Sequence, residues 1–163
     1  MPTPKRTSSK KKAAAPSDAI SLLKKDHEKV RDLLSKLEKS AERGGDRAMQ
    51  LYTQVETEVK IHAQVEEEIF YPAFREAAQK KDDMKMFFEA KEEHHVVDLV
   101  MPELSDTDSK EEFAAKAKVL KELIEHHADE EEKEMFPRAR KLMDRDELRE
   151  LGERIEQRKS ELQ

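Results

Sequence analysis

The feature that most constrains this 163-residue chain is one helical pattern that occurs in both of its halves. The segment 26–37, DHEKVRDLLSKL, aligns with 93–104, EHHVVDLVMPEL, at an offset of 67 residues. The segment 62–72, HAQVEEEIFYP, aligns with 127–137, HADEEEKEMFP, at an offset of 65. Each half therefore carries one histidine on a first helix and a His-x-x-x-Glu pair on a second. Two such hairpins predict a helical bundle with an approximate twofold axis.

Apolar residues recur at intervals of three and four, which is the period of one helical face. Charged residues make up 43% of the chain, aromatic residues 5%, and there are three glycines. This composition, without strand-like alternation, predicts an all-α protein with a narrow apolar seam. The predicted seam residues are Ile20, Leu23, Val30, Leu34, Leu37, Ala41, Leu51, Val55, Val59, Ile69, Ala73, Phe87, Ala90, Val97, Met101, Leu104, Phe113, Ala117, Leu120 and Ile124.

Capping and breaking residues predict the helix boundaries. The first helix begins at Ser17 or Asp18 and ends near Glu42, before Gly44 and Gly45. The second is capped by Asp46 and continues to about Lys80 with a kink at Pro72; the third follows the 80–83 break and is distorted by Pro102. The fourth opens at a capping box of Ser109 and Glu112 and is kinked at Pro137, and a short fifth is capped by Asp144 and Glu147.

These elements predict an up-down-up-down four-helix bundle at 18–143 and a short additional C-terminal helix at 144–163 that packs outside the bundle or extends its fourth helix. Residues 1–17 are predicted to form a disordered basic N-terminal tail. Residues 1–18 carry a net charge of +4, so the remainder carries −10. The tail is interpreted as a solubilising or weakly self-associating segment, with nucleic-acid contact as the alternative.

Absent residue types and patterns exclude several kinds of site. The chain has no cysteine, which excludes disulfides, iron–sulfur clusters and thiolate metal sites. No apolar run approaches the ~18 residues that span a bilayer, and the N-terminus has no apolar signal segment. We therefore expect a cytoplasmic protein without membrane association, as a monomer or weak homodimer.

Six polar residues fall on the apolar seam, where a helix faces the core. His62 and Glu66 lie one turn apart on one face, as do His127 and Glu131. Burying an unpaired carboxylate costs several kcal/mol, so polar groups aimed at a core imply a partner. A pair of cations would neutralise the carboxylates and bind the imidazoles. The predicted metal ligands are His27, His62, Glu66, His94, His127 and Glu131.

Other polar residues near these positions lie off the seam. His95 and His126 are turned by about 100° from their neighbours, which places them beside or outside the site. The same displacement applies to Glu67, Glu68, Glu130 and Glu132. Asp98 lies four residues after His94 and is left open as an additional ligand.

Imidazole and carboxylate ligands without sulfur suit iron, manganese or zinc. Carboxylates from facing helices of a four-helix bundle are typical of di-iron and di-manganese centres. The prediction is two iron ions, Fe²⁺ or Fe³⁺, with manganese or zinc as alternatives. The duplication favours Glu66 and Glu131 as bridges, with His27 and His62 on one ion and His94 and His127 on the other. This arrangement leaves open positions for a solvent bridge, O₂, NO or peroxide.

The order His27, His62–Glu66, His94, His127–Glu131, with Tyr71-Pro72 and Phe136-Pro137 after the pairs, resembles the haemerythrin-like, or HHE cation-binding, family from about Asp18 to Met143. The resemblance implies a four-helix bundle that holds an oxo- or hydroxo-bridged di-iron centre. Oxygen-carrying members have His-x-x-x-His on the third helix, whereas this chain has His94-x-x-x-Asp98. The difference argues against simple oxygen carriage.

Four functions remain open. The first is binding of O₂, NO or peroxide in oxygen, redox or iron sensing, including oxidative stress, with Phe70, Phe74, Phe87 and Phe88 forming an apolar pocket. The second is an enzyme with peroxide-disproportionating, peroxidase or ferroxidase activity, in which Tyr52 and Tyr71 donate electrons. The third is iron storage or donation. The fourth is a metal-free helical interaction protein that uses its basic tail.

Overall fold

A computed structural model describes residues 17–163, which form an all-helical bundle without strands. The predicted tail, apart from Ser17, lies outside the described residues. The α-helices are α1 (Ala19–Ala41), α2 (Asp46–Val65), α3 (Tyr71–Ala77), α4 (Lys81–Val100), α5 (Lys110–Glu130), α6 (Phe136–Leu142) and α7 (Arg145–Leu162). Within this part of the chain, no helix is both long and apolar enough to cross a membrane.

Two five-residue π-helical segments interrupt the long helices at equivalent places in the two halves. The first π turn (Glu66–Phe70) joins α2 to α3, and the second (Glu131–Met135) joins α5 to α6. Each ends two residues before a proline, Pro72 or Pro137, whose ring cannot donate to the preceding turn. These turns lie just before the two prolines at which kinks were predicted, and the helix that contains Pro72 ends at Ala77 rather than near Lys80.

Three of the predicted caps are present. Asp18 accepts from the Ser21 N–H, Ser109 from the Glu112 N–H, and Asp144 forms a capping box with Glu147. The capping box predicted at Ser109 is incomplete, because the Glu112 carboxylate accepts from the Asp108 N–H rather than from the Ser109 N–H.

The prediction that Asp46 caps the second helix was wrong. Gly45 is the cap, with a φ of +88°, and Asp46 is the first helical residue. The positive φ of Gly44 and Gly45 reverses the chain sharply between α1 and α2, so the helix starts one residue earlier than predicted. At the end of α4, a 3₁₀ turn (Met101–Asp106) contains Pro102, at the predicted distortion.

Helix α7 has 18 residues and lies within the predicted range 144–163, with Asp144 as its cap. It folds back and packs on α1, α2 and the first π turn, burying Leu148, Leu151 and Ile155. Gly152 makes the close approach possible, because a Cβ there would lie 2.4 Å from the Ser17 carbonyl oxygen.

A buried polar layer separates two apolar clusters in the core. One cluster contains Leu23, Phe70, Phe74 and Ile155, and the other contains Val30, Leu34, Leu120 and Ile124. The predicted seam residues are buried apart from Ala73, which is half-buried. All six predicted ligands lie in the polar layer, at 8% exposure or less.

Candidate metal centre

The polar layer brings all six predicted ligands together in two adjoining groups. One donor atom from each of His27, His62, Glu66 and Glu131 lies within 4.8 Å of the others. A second group with the same spacing contains Glu66, His94 and His127. Glu66 belongs to both groups, and the histidines divide into the two pairs that the duplication predicts.

Each glutamate lies between histidines of different helices. Glu131 Oε1 is 3.3 Å from His27 Nε2 on α1 and 3.0 Å from His127 Nε2 on α5. Glu66 Oε1 contacts His62 Nε2, and Glu66 Oε2 is 3.9 Å from His94 Nε2 on α4. Two carboxylates shared in this way are placed to bridge a pair of cations.

The layer holds polar atoms that the protein itself does not satisfy. Among residues 17–163, the buried side-chain atoms without a hydrogen-bond partner all belong to these ligands. They are His27 Nδ1 and Nε2, His62 Nε2, both Glu66 oxygens and Glu131 Oε1. Since a buried polar group without a partner costs about 1–3 kcal/mol, the donor set fits cations that would occupy these lone pairs.

The pKa shifts of groups in the layer also indicate that it is built to hold positive charge. Burial alone would lower the pKa of His62, but the negative charge of Glu66 and the hydrogen bond with Asp26 raise it to about 10. Burial would raise the pKa of Glu131, yet the charge of His127 and the contact with His27 hold it well below its usual range. Without metal, protons thus supply positive charge to a layer built around two carboxylates.

A carboxylate faces the Nδ1 atom of every ligand histidine. The Nδ1–H of His62 donates to Asp26 at 2.9 Å, that of His94 to Glu67 at 3.1 Å, and that of His127 to Glu93 at 3.2 Å. Glu132 lies 3.8 Å from His27 Nδ1. Such partners fix the ring orientation and leave Nε2 free to bind a metal.

Reasoning from the sequence missed this set of partners, because their contacts cross between helices. Glu67 and Glu132 were only described as displaced from the seam. The duplication contained the signal. Asp26 and Glu93 are equivalent positions, and each directly precedes a predicted ligand histidine. Glu67 and Glu132 are also equivalent, and each directly follows a predicted ligand glutamate.

Tyr71 adds a hydroxyl group to the centre. Its Oη lies 3.0 Å from His94 Nε2, 3.3 Å from His127 Nε2 and 3.2 Å from Glu131 Oε2. Burial and the charges of Glu131 and Glu66 raise the pKa of Tyr71 well above 10, so the metal-free protein holds a neutral phenol. At the equivalent position, Phe136 stacks on His27 with ring centroids 5.7 Å apart.

A cavity of about 40 Å³ lies beside the four histidines. Val30, Val59, Val97 and Ile124 supply most of its apolar lining, and Arg31 and Asp98 also border it. One water needs about 10–15 Å³, so the cavity can hold a molecule of two or three atoms.

The remaining predicted positions lie outside the donor groups. His95 and Asp98 are exposed, and neither shares a group of closely spaced donors with the six ligands. Tyr52 donates to the Met101 carbonyl in the second apolar cluster, away from the ligands. Phe88 is 51% exposed, so its predicted place in an apolar pocket was wrong. Phe70, Phe74 and Phe87 are buried in the first apolar cluster.

Comparisons with known proteins agree on one family. The family model "Hemerythrin HHE cation binding domain" matches residues 18–139. A crystal structure of a hemerythrin HHE cation binding domain-containing protein from Mycobacterium kansasii is similar, with a TM-score of 0.77 and 27% identity. The similarity covers 90% of this chain and 87% of that one. The search of curated proteins found no match.

Proposed function

Because this chain belongs to the haemerythrin HHE cation-binding family, we propose that it is a di-iron protein that binds O₂, NO or peroxide in oxygen, redox or iron sensing or response. The proposed ligands are His27, His62, Glu66, His94, His127 and Glu131. Glu66 and Glu131 would bridge the two ions together with an oxo or hydroxo group, within an up-down-up-down arrangement of four long helices.

The observation that supports this proposal is the set of buried donor atoms without partners in the polar layer. Four imidazoles and two carboxylates, without sulfur, form a donor set that suits iron. When bound, an iron pair supplies redox electrons and open coordination positions for a small molecule. The chain supplies the orientation of each ligand and the negative charge that balances the cations.

The cavity determines the size and character of the molecule that reaches the centre. Its volume of about 40 Å³ and its valine and isoleucine lining favour a small molecule of low polarity. The buried phenol of Tyr71 lies between His94 and Glu131, where it can donate a hydrogen bond within the layer. Together these residues favour small molecules over larger substrates.

The experiment is iron quantitation with anaerobic-to-aerobic optical titration of the native protein and of E66Q. We expect two irons per chain and an optical change with O₂, NO or peroxide in the native protein. E66Q removes the carboxylate shared by both donor groups and should retain less than one iron. The control E68Q changes an exposed glutamate in the same turn and should retain two. Native protein that binds well below one iron per chain would contradict the proposal.

Tyr71 favours a second candidate, an enzyme that reduces or disproportionates peroxide. A buried hydroxyl within 3.3 Å of two ligand histidines is placed to pass a proton or an electron to a reacting molecule. We expect iron-loaded Y71F to lose most of any peroxide consumption while it keeps its iron. Equal consumption by Y71F and native protein, or none by either, would exclude this role for Tyr71.

A further inference from the structure

A second group of potential metal ligands lies at the surface beside the centre. Glu93, His126 and Glu130 place three donor atoms within 4.8 Å of one another. His126 Nε2 is 3.1 Å from Glu130 Oε1 and 3.5 Å from Glu93 Oε2. The other oxygen of Glu93 faces His127 Nδ1 at 3.2 Å. One carboxylate thus connects the surface group to a proposed iron ligand.

A narrow cavity lies between this surface group and the buried layer. It measures about 20 Å³, and its lining combines the apolar residues Met86, Ala90 and Met135 with Glu89, Glu93, Glu130, Glu134 and the buried Glu131. Glu131 is 1% exposed, and its Oε1 has no hydrogen-bond partner. One water needs about 10–15 Å³, so the space is large enough for a single ion or water.

The equivalent face of the first half is closed. Glu93 corresponds to Asp26, whose carboxylate forms an ion pair with Lys159 of α7. Apolar residues stand at the other equivalent positions, and α7 covers that side of the bundle. Leu22, Ile61, Val65 and Ile69 take the places of Glu89, His126, Glu130 and Glu134.

The comparison of the two halves indicates what the open face binds. In the first half, a lysine ammonium provides the cation at the carboxylate behind the ligand histidine. In the second half, among the described residues, the ion pairs of Glu93 are to His126 and His127 only. Two carboxylates and an imidazole, with no lysine or arginine among their ion pairs in the described part of the chain, form a donor set that suits a divalent metal ion.

We propose that Glu93, His126 and Glu130 bind a divalent metal ion at the surface, and that Fe²⁺ reaches the buried centre from there along the cavity to Glu131. Glu89 and Glu134 add negative charge around this path and concentrate cations at its mouth. The binding of an ion at the surface stands on the geometry of these residues alone. The destination of the ion rests on the proposed di-iron function.

The first test measures loading of metal-free protein with Fe²⁺ under anaerobic conditions. The variant is H126Q/E130Q, which leaves Glu93 and all six buried ligands in place. The control H95Q/E92Q removes the same residue types from an exposed part of α4. We expect all three proteins to reach two irons per chain, with H126Q/E130Q loading at least tenfold more slowly, within the range of electrostatic focusing. Equal loading rates for native protein and H126Q/E130Q would overturn the loading role.

The second test separates the surface site from the buried centre. Protein whose buried centre is filled with iron is titrated with Mn²⁺, and free Mn²⁺ is followed by electron paramagnetic resonance. We expect native protein and the control to bind one Mn²⁺ per chain more than H126Q/E130Q. The same number in native protein and H126Q/E130Q would overturn the surface site. If native protein retained no iron, the di-iron function would fail, and the same titration on metal-free protein would still decide the surface site.

Discussion

At the scale of single residues, the carboxylates behind the histidines complete the centre. Three of the four proposed ligand imidazoles donate Nδ1–H to an acidic side chain, and Glu132 lies 3.8 Å from Nδ1 of the fourth, His27. Because the partner fixes the ring and raises its basicity, it contributes to metal affinity without touching the ion. Basic residues hold two of these carboxylates in turn, since Lys159 pairs with Asp26 and Arg31 pairs with Glu132 at 2.5 Å.

Removal of one such partner should weaken metal binding without abolishing it. In D26N the amide can no longer balance an imidazole that binds a cation, and Lys159 loses its own partner. We expect iron affinity to fall by about 10- to 100-fold, measured by competition with a chelator. The exposed neighbour Glu28 gives the control E28Q, which should bind as tightly as native protein. An unchanged affinity in D26N would show that the contact only positions α1.

At the scale of helices, the sequence predicted the ligands because they follow a regular period. On α2, the steps of three and four residues from Val59 to His62 to Glu66 follow the helical period, so the face that carries the predicted ligands could be identified from spacing alone. Tyr71 could not be placed in this way, because a straight helix turns by about 100° per residue and directs it away from Glu66. The π turn, in which the Tyr71 N–H donates to the Glu66 carbonyl, brings the two residues onto one side.

The start of α4 depends on a buried ion pair that responds to pH. Asp83 accepts from Arg138 at 2.6 and 3.1 Å and from the N–H groups of Gln79 and Lys80. Arg138 and these N–H groups hold the pKa of Asp83 well below its usual range. The unfolded chain therefore takes up the proton first as pH falls. The stabilisation is complete above the unfolded pKa of about 3.9 and is lost as pH falls toward the folded value.

D83N should accordingly lower the melting temperature at neutral pH by several degrees. Below about pH 4 the difference in melting temperature between D83N and native protein should narrow, because Asp83 is protonated in the unfolded chain there and its ion pair contributes less. Thermal unfolding between pH 3 and 7 measures this, with D82N, which changes an exposed neighbour, as control. A difference that stays constant over the whole range would contradict the assignment to Asp83.

The packing of α7 depends on a missing side chain. G152A places a Cβ 2.4 Å from the Ser17 carbonyl oxygen and 2.9 Å from the Asp18 carbonyl carbon. Overpacking against backbone costs about 1–3 kcal/mol, which opposes the gain of about 1 kcal/mol that alanine brings to a helix. We expect urea unfolding to show net destabilisation. The exposed control E153A should be neutral or slightly stabilising, and a more stable G152A would show that α7 can shift without loss.

At the scale of the whole molecule, a layer of ionisable groups divides the core. The duplication predicted this layer and the all-helical bundle around it. The way α7 covers only one half could not be predicted, because its amphipathic pattern does not identify the helices on which it packs. The contacts that place α7 on α1 and α2 join residues far apart in the sequence, such as Gly152 and Ser17.

On the proposed di-iron function, the divided core should make stability depend on metal. Without metal, carboxylates and imidazoles face one another in the layer, whereas bound ions would satisfy them. With free Fe²⁺ at 100 times its dissociation constant, each site should add about 2.7 kcal/mol. Thermal unfolding of loaded and chelator-treated protein measures the difference, and E66Q should show little of it. An equal melting temperature with and without iron in native protein would contradict a role for metal in completing the core.

The two π turns also determine which changes of length this chain can accept. Each turn holds one residue more than an ordinary helical turn, so Tyr71 stands to Glu66 as a residue four positions along an ordinary helix would. Deletion of one residue between them would let the turn narrow to an ordinary helix, and α3 would keep the faces that it presents to core and solvent. Insertion of one residue at the same place would rotate α3 by about 100° unless the turn widened again. Variation in length at these two equivalent places is therefore one-sided, with room for a loss and none for a gain.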